Sequence, residues 1–146
     1  AAISVWGPDR VGVHVAPRGD SHDMRDSDPL ATFGHLAREL GRRRIAFMMA
    51  REHVGPGRIG PQLKAQFGGI WVANEGFDRD SGNAVIAAGE ADAVGYGRMF
   101  IANPDLAERF RVGADLNPAR PELFYGGGAE GYTDYPALEA IAVATD

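Results

Sequence analysis

Short apolar runs alternate along the chain with segments whose apolar residues recur at helical spacing. The first run, Val11-Gly12-Val13-His14-Val15-Ala16, is rich in β-branched residues and closes on Pro17, which predicts a strand. A polar loop over residues 18–28 follows. Asp28 then offers an N-cap and Pro29 a first helical position, and Phe33, Leu36, Ala37 and Leu40 mark one buried stripe. Gly41 and the triplet Arg42-Arg43-Arg44 suit the end of that helix. The second run, Ile45-Ala46-Phe47-Met48-Met49-Ala50, is apolar at every position, the pattern of a strand covered on both faces. After a Gly/Pro-rich loop, residues 62–67 predict a short helix closed by Gly68-Gly69. The third run is Ile70-Trp71-Val72-Ala73, with a helix from Asp80 or Ser81 to Ala88 and Gly89 behind it. The fourth is Ala93-Val94-Gly95-Tyr96-Gly97, and Asn103-Pro104-Asp105 predicts the start of a helix carrying Leu106, Phe110 and Val112. From Asn117 onward the chain is rich in Pro, Gly and Tyr and reads as an ordered tail.

Four strand–helix units in succession imply an α/β domain over 1–146, built on a parallel sheet with covering helices. An open doubly wound sheet and a (β/α)8 barrel both satisfy the alternation. In the second case four units are half of a barrel, which usually takes about 250 residues.

Composition narrows the function classes. A net charge of −5 and a pI near 5.3 give no basic face for nucleic acid. No apolar stretch approaches the roughly 20 residues of a membrane span, and the first five residues lack a signal-peptide pattern. The absence of cysteine removes disulfides and thiolate metal sites and fits a cytoplasmic protein. The absence of an initiator Met is what a processed or partial chain would show.

Chemistry in a barrel sits at the C-terminal ends of strands, where the last two loops often hold a phosphate through backbone amides. Asn74-Glu75-Gly76 follows the third run and Gly97-Arg98 the fourth. Glycine admits a phosphate close to the backbone, and arginine offers a two-pronged partner. Glu75 would repel such an anion, so its side chain is expected to point away while its N–H contributes. Ser21-His22-Asp23 has the residue types of a catalytic triad, but neighbouring side chains cannot converge as a relay requires. His22, His35 and His53 show no metal-ligand spacing. Gly126-Gly127-Gly128 matches no dinucleotide or P-loop pattern.

Taken in order, Val11 to Pro17, Asp92-Ala93-Val94-Gly95-Tyr96-Gly97-Arg98, Phe100-Ile101-Ala102-Asn103-Pro104-Asp105-Leu106 and the tail from Phe124-Tyr125-Gly126-Gly127-Gly128 to Tyr135-Pro136 resemble Old Yellow Enzymes. The resemblance is strongest to the bacterial branch of N-ethylmaleimide, nitrate-ester and 2-cyclohexenone reductases. Ala50-Arg51-Glu52 and Ala73-Asn74-Glu75-Gly76-Phe77 also resemble that branch. The resemblance implies the second half of a TIM barrel, strands five to eight with their helices, incomplete alone. It implies FMN as cofactor, NAD(P)H as reductant, and activated alkenes, nitro compounds or nitrate esters as acceptors. Asn74, Glu75, Gly76, Gly97 and Arg98 map onto the FMN-phosphate contacts. His14 stands where many members carry a flavin-contacting arginine, with Arg18 nearby to compensate. Tyr125 matches an aromatic residue near the flavin edge. The family's catalytic side chains map onto none of these residues and belong to the barrel's first half. The implied partner is therefore that half, as a second chain or a self-paired copy, with no nucleic acid and no membrane. The chain by itself is expected to be inactive and prone to pair through its open edges. The alternative is a non-catalytic half-barrel that self-pairs as a binding or structural module.

Overall fold

The computed structural model describes residues 1–138, with only the backbone at His22. The last residues of the predicted tail, 139–146, and the His22 side chain lie outside the described residues. Two compact units divide the chain, the first from Ala1 to Gly95 and the second beginning at Tyr96.

The first unit runs α1 (Ala2–Trp6), β1 (Gly12–Val15), α2 (Pro29–Arg42), β2 (Phe47–Arg51), α3 (Gly60–Phe67), β3 (Ile70–Asn74), α4 (Arg79–Ala87) and β4 (Ala93–Gly95). Its strands form a parallel sheet in the order β1-β2-β3-β4. A doubly wound sheet reverses its strand order part-way along, whereas this order advances without reversal, as an arc of a (β/α)8 barrel does.

Side chains in register share a face of the sheet. Met48 and Ala50 of β2 and Trp71 and Ala73 of β3 are all buried, and they pack with Leu63 and Phe67 of α3 into the core. The opposite face carries His14, Phe47, Met49, Ile70 and Val72, with Phe47 39% and Ile70 56% exposed. The continuous apolar run of β2 predicted a strand covered on both faces. Its burial alternates instead, because helices cover one face only.

The ends of the helices follow local chemistry. Asp28 caps α2 by accepting from Ala31 N at 3.0 Å, with Pro29 first in the helix. Gly41 lies inside α2 and does not terminate it. A Cβ there would run into the carbonyl oxygen of Phe67, so the glycine lets α2 lie close against the end of α3. Arg42 and Arg43 both pair with Glu39 in the last turn. The cap of α4 is Asp78, earlier than predicted. It accepts from Ser81 N at 2.8 Å while Ser81 Oγ accepts from Asp78 N at 2.9 Å, a reciprocal box.

Asp92 ties the start of β4 to its neighbours. It accepts from Lys64 Nζ and from Trp71 N, each at 2.8 Å. The Lys64 bond first, and the Trp71 amide second, hold its carboxyl below the usual aspartate range. A depressed carboxylate stabilises the fold above its unfolded pKa, and the contribution fades as pH falls through the folded value. Asp92→Asn is therefore expected to flatten the loss of stability between about pH 5 and pH 2 relative to the parent. Denaturant midpoints across that range test it, and parallel curves for the two proteins would refute it.

In the second unit, α5 (Arg98–Ala102) and α6 (Leu106–Val112) precede an extended segment with one 3₁₀ turn at Pro121–Leu123. The predicted helix start at Asn103-Pro104 is corrected: α6 begins at Leu106. Asn103 donates to Met99 O at 2.9 Å and accepts from Asn117 N at 2.7 Å, so its side chain is not free to cap. No helix of the described residues is long and apolar enough to cross a membrane.

Candidate functional site

The strands of the first unit deliver the loops after β1, β2 and β3 to one end of the sheet. A cavity of about 250 Å³ opens among them, its wall including Arg18, Asp20, Arg51, Glu52, His53 and Glu75. Glu52 is 3% exposed. Its two oxygens accept from Ile59 N at 2.7 Å and Gly60 N at 2.9 Å, at the entry to α3. Arg58 Nε lies 3.8 Å and Arg18 Nη1 4.0 Å from the same carboxylate. Arg58 also reaches Glu90 at 3.3 Å and lies over the Phe77 ring at 5.3 Å. One buried carboxylate thus fixes the β2–α3 loop, and Arg58 bridges it to the segment after β3.

Asn74, Glu75 and Gly76 form a single turn beyond β3. Asn74 Nδ2 donates to Gly95 O at 2.7 Å and its backbone oxygen accepts from Glu52 N at 3.0 Å, so the residue ties β3 to β4 and to the end of β2. Glu75 has φ 85° and Gly76 φ 83°. Glycine takes that region freely, whereas a side chain there costs on the order of 1 kcal/mol. A Cβ at Gly76 would also lie 3.2 Å from His53 Nδ1. Among the described residues, neither Glu75 N–H nor Gly76 N–H donates a hydrogen bond. Consecutive amides left unpaired in a left-handed turn are the makings of an anion cradle.

The Glu75 side chain lines the cavity and pairs with its basic neighbours. Its Oε1 is 3.0 Å from Arg51 Nη2 and 3.9 Å from His53 Nε2. Arg51 was not singled out as a site residue from sequence. The signal was its place at the end of β2, where it registers with Asn74, one residue from Glu75. His14 is exposed on the open face in register with Met49, one step short of the Arg51–Asn74 row.

In the second unit Gly97 precedes α5 and Arg98 is its first residue. Nothing lies within 4 Å of where a Gly97 Cβ would sit. Arg98 is exposed and makes no hydrogen bond or ion pair among the described residues. Tyr125 is 94% exposed, beyond the 3₁₀ turn. That segment is held from behind. Arg120 pairs with Asp134 at 2.9 Å and its N–H donates to Tyr135 Oη at 2.8 Å, while Gly131 N donates to Asp134 at 2.8 Å.

No family model matches the chain. It is 38% identical, over 97% of its length, to 12-oxophytodienoate reductase 1 of Oryza sativa subsp. japonica, covering 40% of that protein. Among solved structures, morphinone reductase superposes with a TM-score of 0.87 at 40% identity over 94% of this chain and 38% of its own. An old yellow enzyme homologue from Zymomonas mobilis gives 0.89 at 33% identity, over 93% of this chain and 41% of its own. The chain therefore spans about two-fifths of the length of the relatives it matches. Over that span, the strand order, the helix-covered face and the residue identities match those of the Old Yellow Enzyme family.

Proposed function

We propose that the chain is the FMN-phosphate-holding part of an NAD(P)H-dependent ene-reductase. The observation that carries this reading is the turn after β3, with the free amides of Glu75 and Gly76 in left-handed backbone and the neighbouring carboxylate turned onto Arg51. In this reading those amides receive phosphate oxygens, and Asn74 fixes the start of the turn. Gly97 keeps its own approach open, and the Arg98 guanidinium adds a charge-assisted pair. His14 and Tyr125 face the flavin from the sheet and from the tail. The residues fit such a group because, among the described residues, Arg98 has no competing partner and the Glu75 and Gly76 amides donate to no other group.

The chemistry FMN supplies when bound is hydride transfer from NAD(P)H to an activated alkene, nitro compound or nitrate ester. This chain's residues bind and orient the cofactor and wall part of the cavity. The groups that polarise the acceptor and deliver its proton belong, in this reading, to the rest of the barrel. The chain alone is then inactive, and its partner is that other half, in the cytoplasm.

Fluorescence titration with FMN, on the chain alone and with the completing half added, tests the assignment. Arg98→Ala is expected to weaken FMN binding roughly 10- to 100-fold, the scale of one charged hydrogen-bonding partner. Unchanged affinity in that variant would overturn it. A second reading, a self-paired non-catalytic half-barrel, is favoured by the exposed Phe47 and Ile70 and by the edge positions of β1 and β4. Native mass spectrometry and an NADPH-oxidation assay together separate the two readings: the second expects a homodimer, with or without FMN, that does not oxidise NADPH.

A further inference from the structure

Glu75 raises a difficulty for any anion held by the turn it sits in, since its carboxylate is attached one residue from the Gly76 amide. The geometry points to Arg51 as the positioning residue that removes this obstacle. By pairing with Glu75 at 3.0 Å it turns the carboxylate off the amides and cancels its charge, so that the turn can take a phosphate monoester. This rests on the reading above and deepens it.

Three features equip Arg51 for the role. It is the last residue of β2 and registers with Asn74, so the sheet itself sets its reach to Glu75. Its neighbour Glu52 is anchored by two amides, which fixes the backbone from which Arg51 projects. Among the described residues the guanidinium has no other partner, so its charge is committed to Glu75. His53 stands 3.9 Å from the same oxygen but is 76% exposed, and so is the weaker counterpart.

An ion pair that only fastened β2 to β3 would show the same contact. Charge rescue distinguishes the two roles. FMN and riboflavin affinities are measured by fluorescence titration in the form of the protein that binds FMN. The set is wild type, Arg51→Ala, Arg51→Lys, Glu75→Gln and the Arg51→Ala/Glu75→Gln double variant. Arg51→Ala is expected to weaken FMN about tenfold while leaving riboflavin, which lacks the phosphate, within about twofold. Arg51→Lys is expected to retain most of the FMN affinity. Glu75→Gln is expected to bind FMN at least as tightly as wild type, and the double variant to match Glu75→Gln. The inference is overturned if Arg51→Ala binds FMN like wild type, if it weakens riboflavin equally, or if the double variant stays as weak as Arg51→Ala. Failure of wild type to bind FMN, or indifference to Arg98→Ala, would instead sink the underlying reading.

Discussion

Glu52→Ala is expected to cost the fold about 3–5 kcal/mol, the usual consequence of removing one member of a buried charged network. The carboxylate is 3% exposed and is the acceptor for Ile59 N and Gly60 N, two donors at the start of α3 that have no partner inside the helix. It is also the anion nearest to Arg58 Nε, a buried nitrogen with no hydrogen-bond partner among the described residues. Alanine would strand all three groups and leave a cavity. Glu52→Gln keeps one acceptor oxygen but sets an NH₂ against a donor and drops the charge, so it should fall between alanine and the parent. A domain of this size is stabilised by roughly 5–15 kcal/mol, so the alanine variant should lose a large share of its folded margin. Urea denaturation reads the global effect, and amide exchange over residues 52–60 reads the local one. A shift under about 1 kcal/mol would mean that water replaces the carboxylate at the helix entry, contrary to this account.

How far the sequence revealed this arrangement depends on the range of the interaction. The four strands were legible because each is a short apolar run between turn residues, and Asp28-Pro29 announced α2 by local chemistry alone. The choice between barrel and doubly wound sheet was not legible from alternation, since strand order is a tertiary property; the family resemblance supplied it. Helix α5 escaped notice because Met99-Phe100-Ile101 follows β4 closely and reads as its continuation. Asn103-Pro104-Asp105 misled because Asn103 spends its amide on Met99 O and Asn117 N, the latter fourteen residues away. At the site, the turn that holds Glu75 followed from the glycine beside it at the end of the third apolar run. Arg51 as its partner did not, because the two are 24 residues apart and meet only through the β2–β3 register. The helix-anchoring role of Glu52 was hidden for a different reason: its partners Ile59 and Gly60 are near in sequence but meet it only through the course of the β2–α3 loop.

Arg109→Met is expected to release the segment that follows α6. The guanidinium is 2% exposed and spends its donors on three acceptors: Asp105 Oδ1 at 2.7 Å, Asp115 O at 2.6 Å and Pro136 O at 3.0 Å. Asp105 Oδ2 in turn accepts from Leu138 N at 2.7 Å, so one ion pair closes both ends of the segment onto α6. Burial pushes the Asp105 carboxyl up, but the bonds from Arg109 and Leu138 N outweigh it and hold the pKa below the usual range. Its contribution is therefore present at neutral pH and lost as pH falls through the depressed value. Methionine fills similar space without a donor, leaving Asp105 Oδ1 and Asp115 O unpaired and Pro136 O held by Asn117 alone, at a cost of about 3–5 kcal/mol. With its cation gone, Asp105 is governed by burial, so its pKa should rise, and the acid-side loss seen in the parent should vanish or reverse. Limited proteolysis is a direct readout, because Gly126-Gly127-Gly128 lies exposed within the segment. Cleavage there should accelerate strongly in Arg109→Met at pH 7, and the excess over the parent should shrink as the pH is lowered to about 5. Equal rates in the two proteins would mean that the Arg120–Asp134 pair and the Asn117 amide hold the segment without the guanidinium.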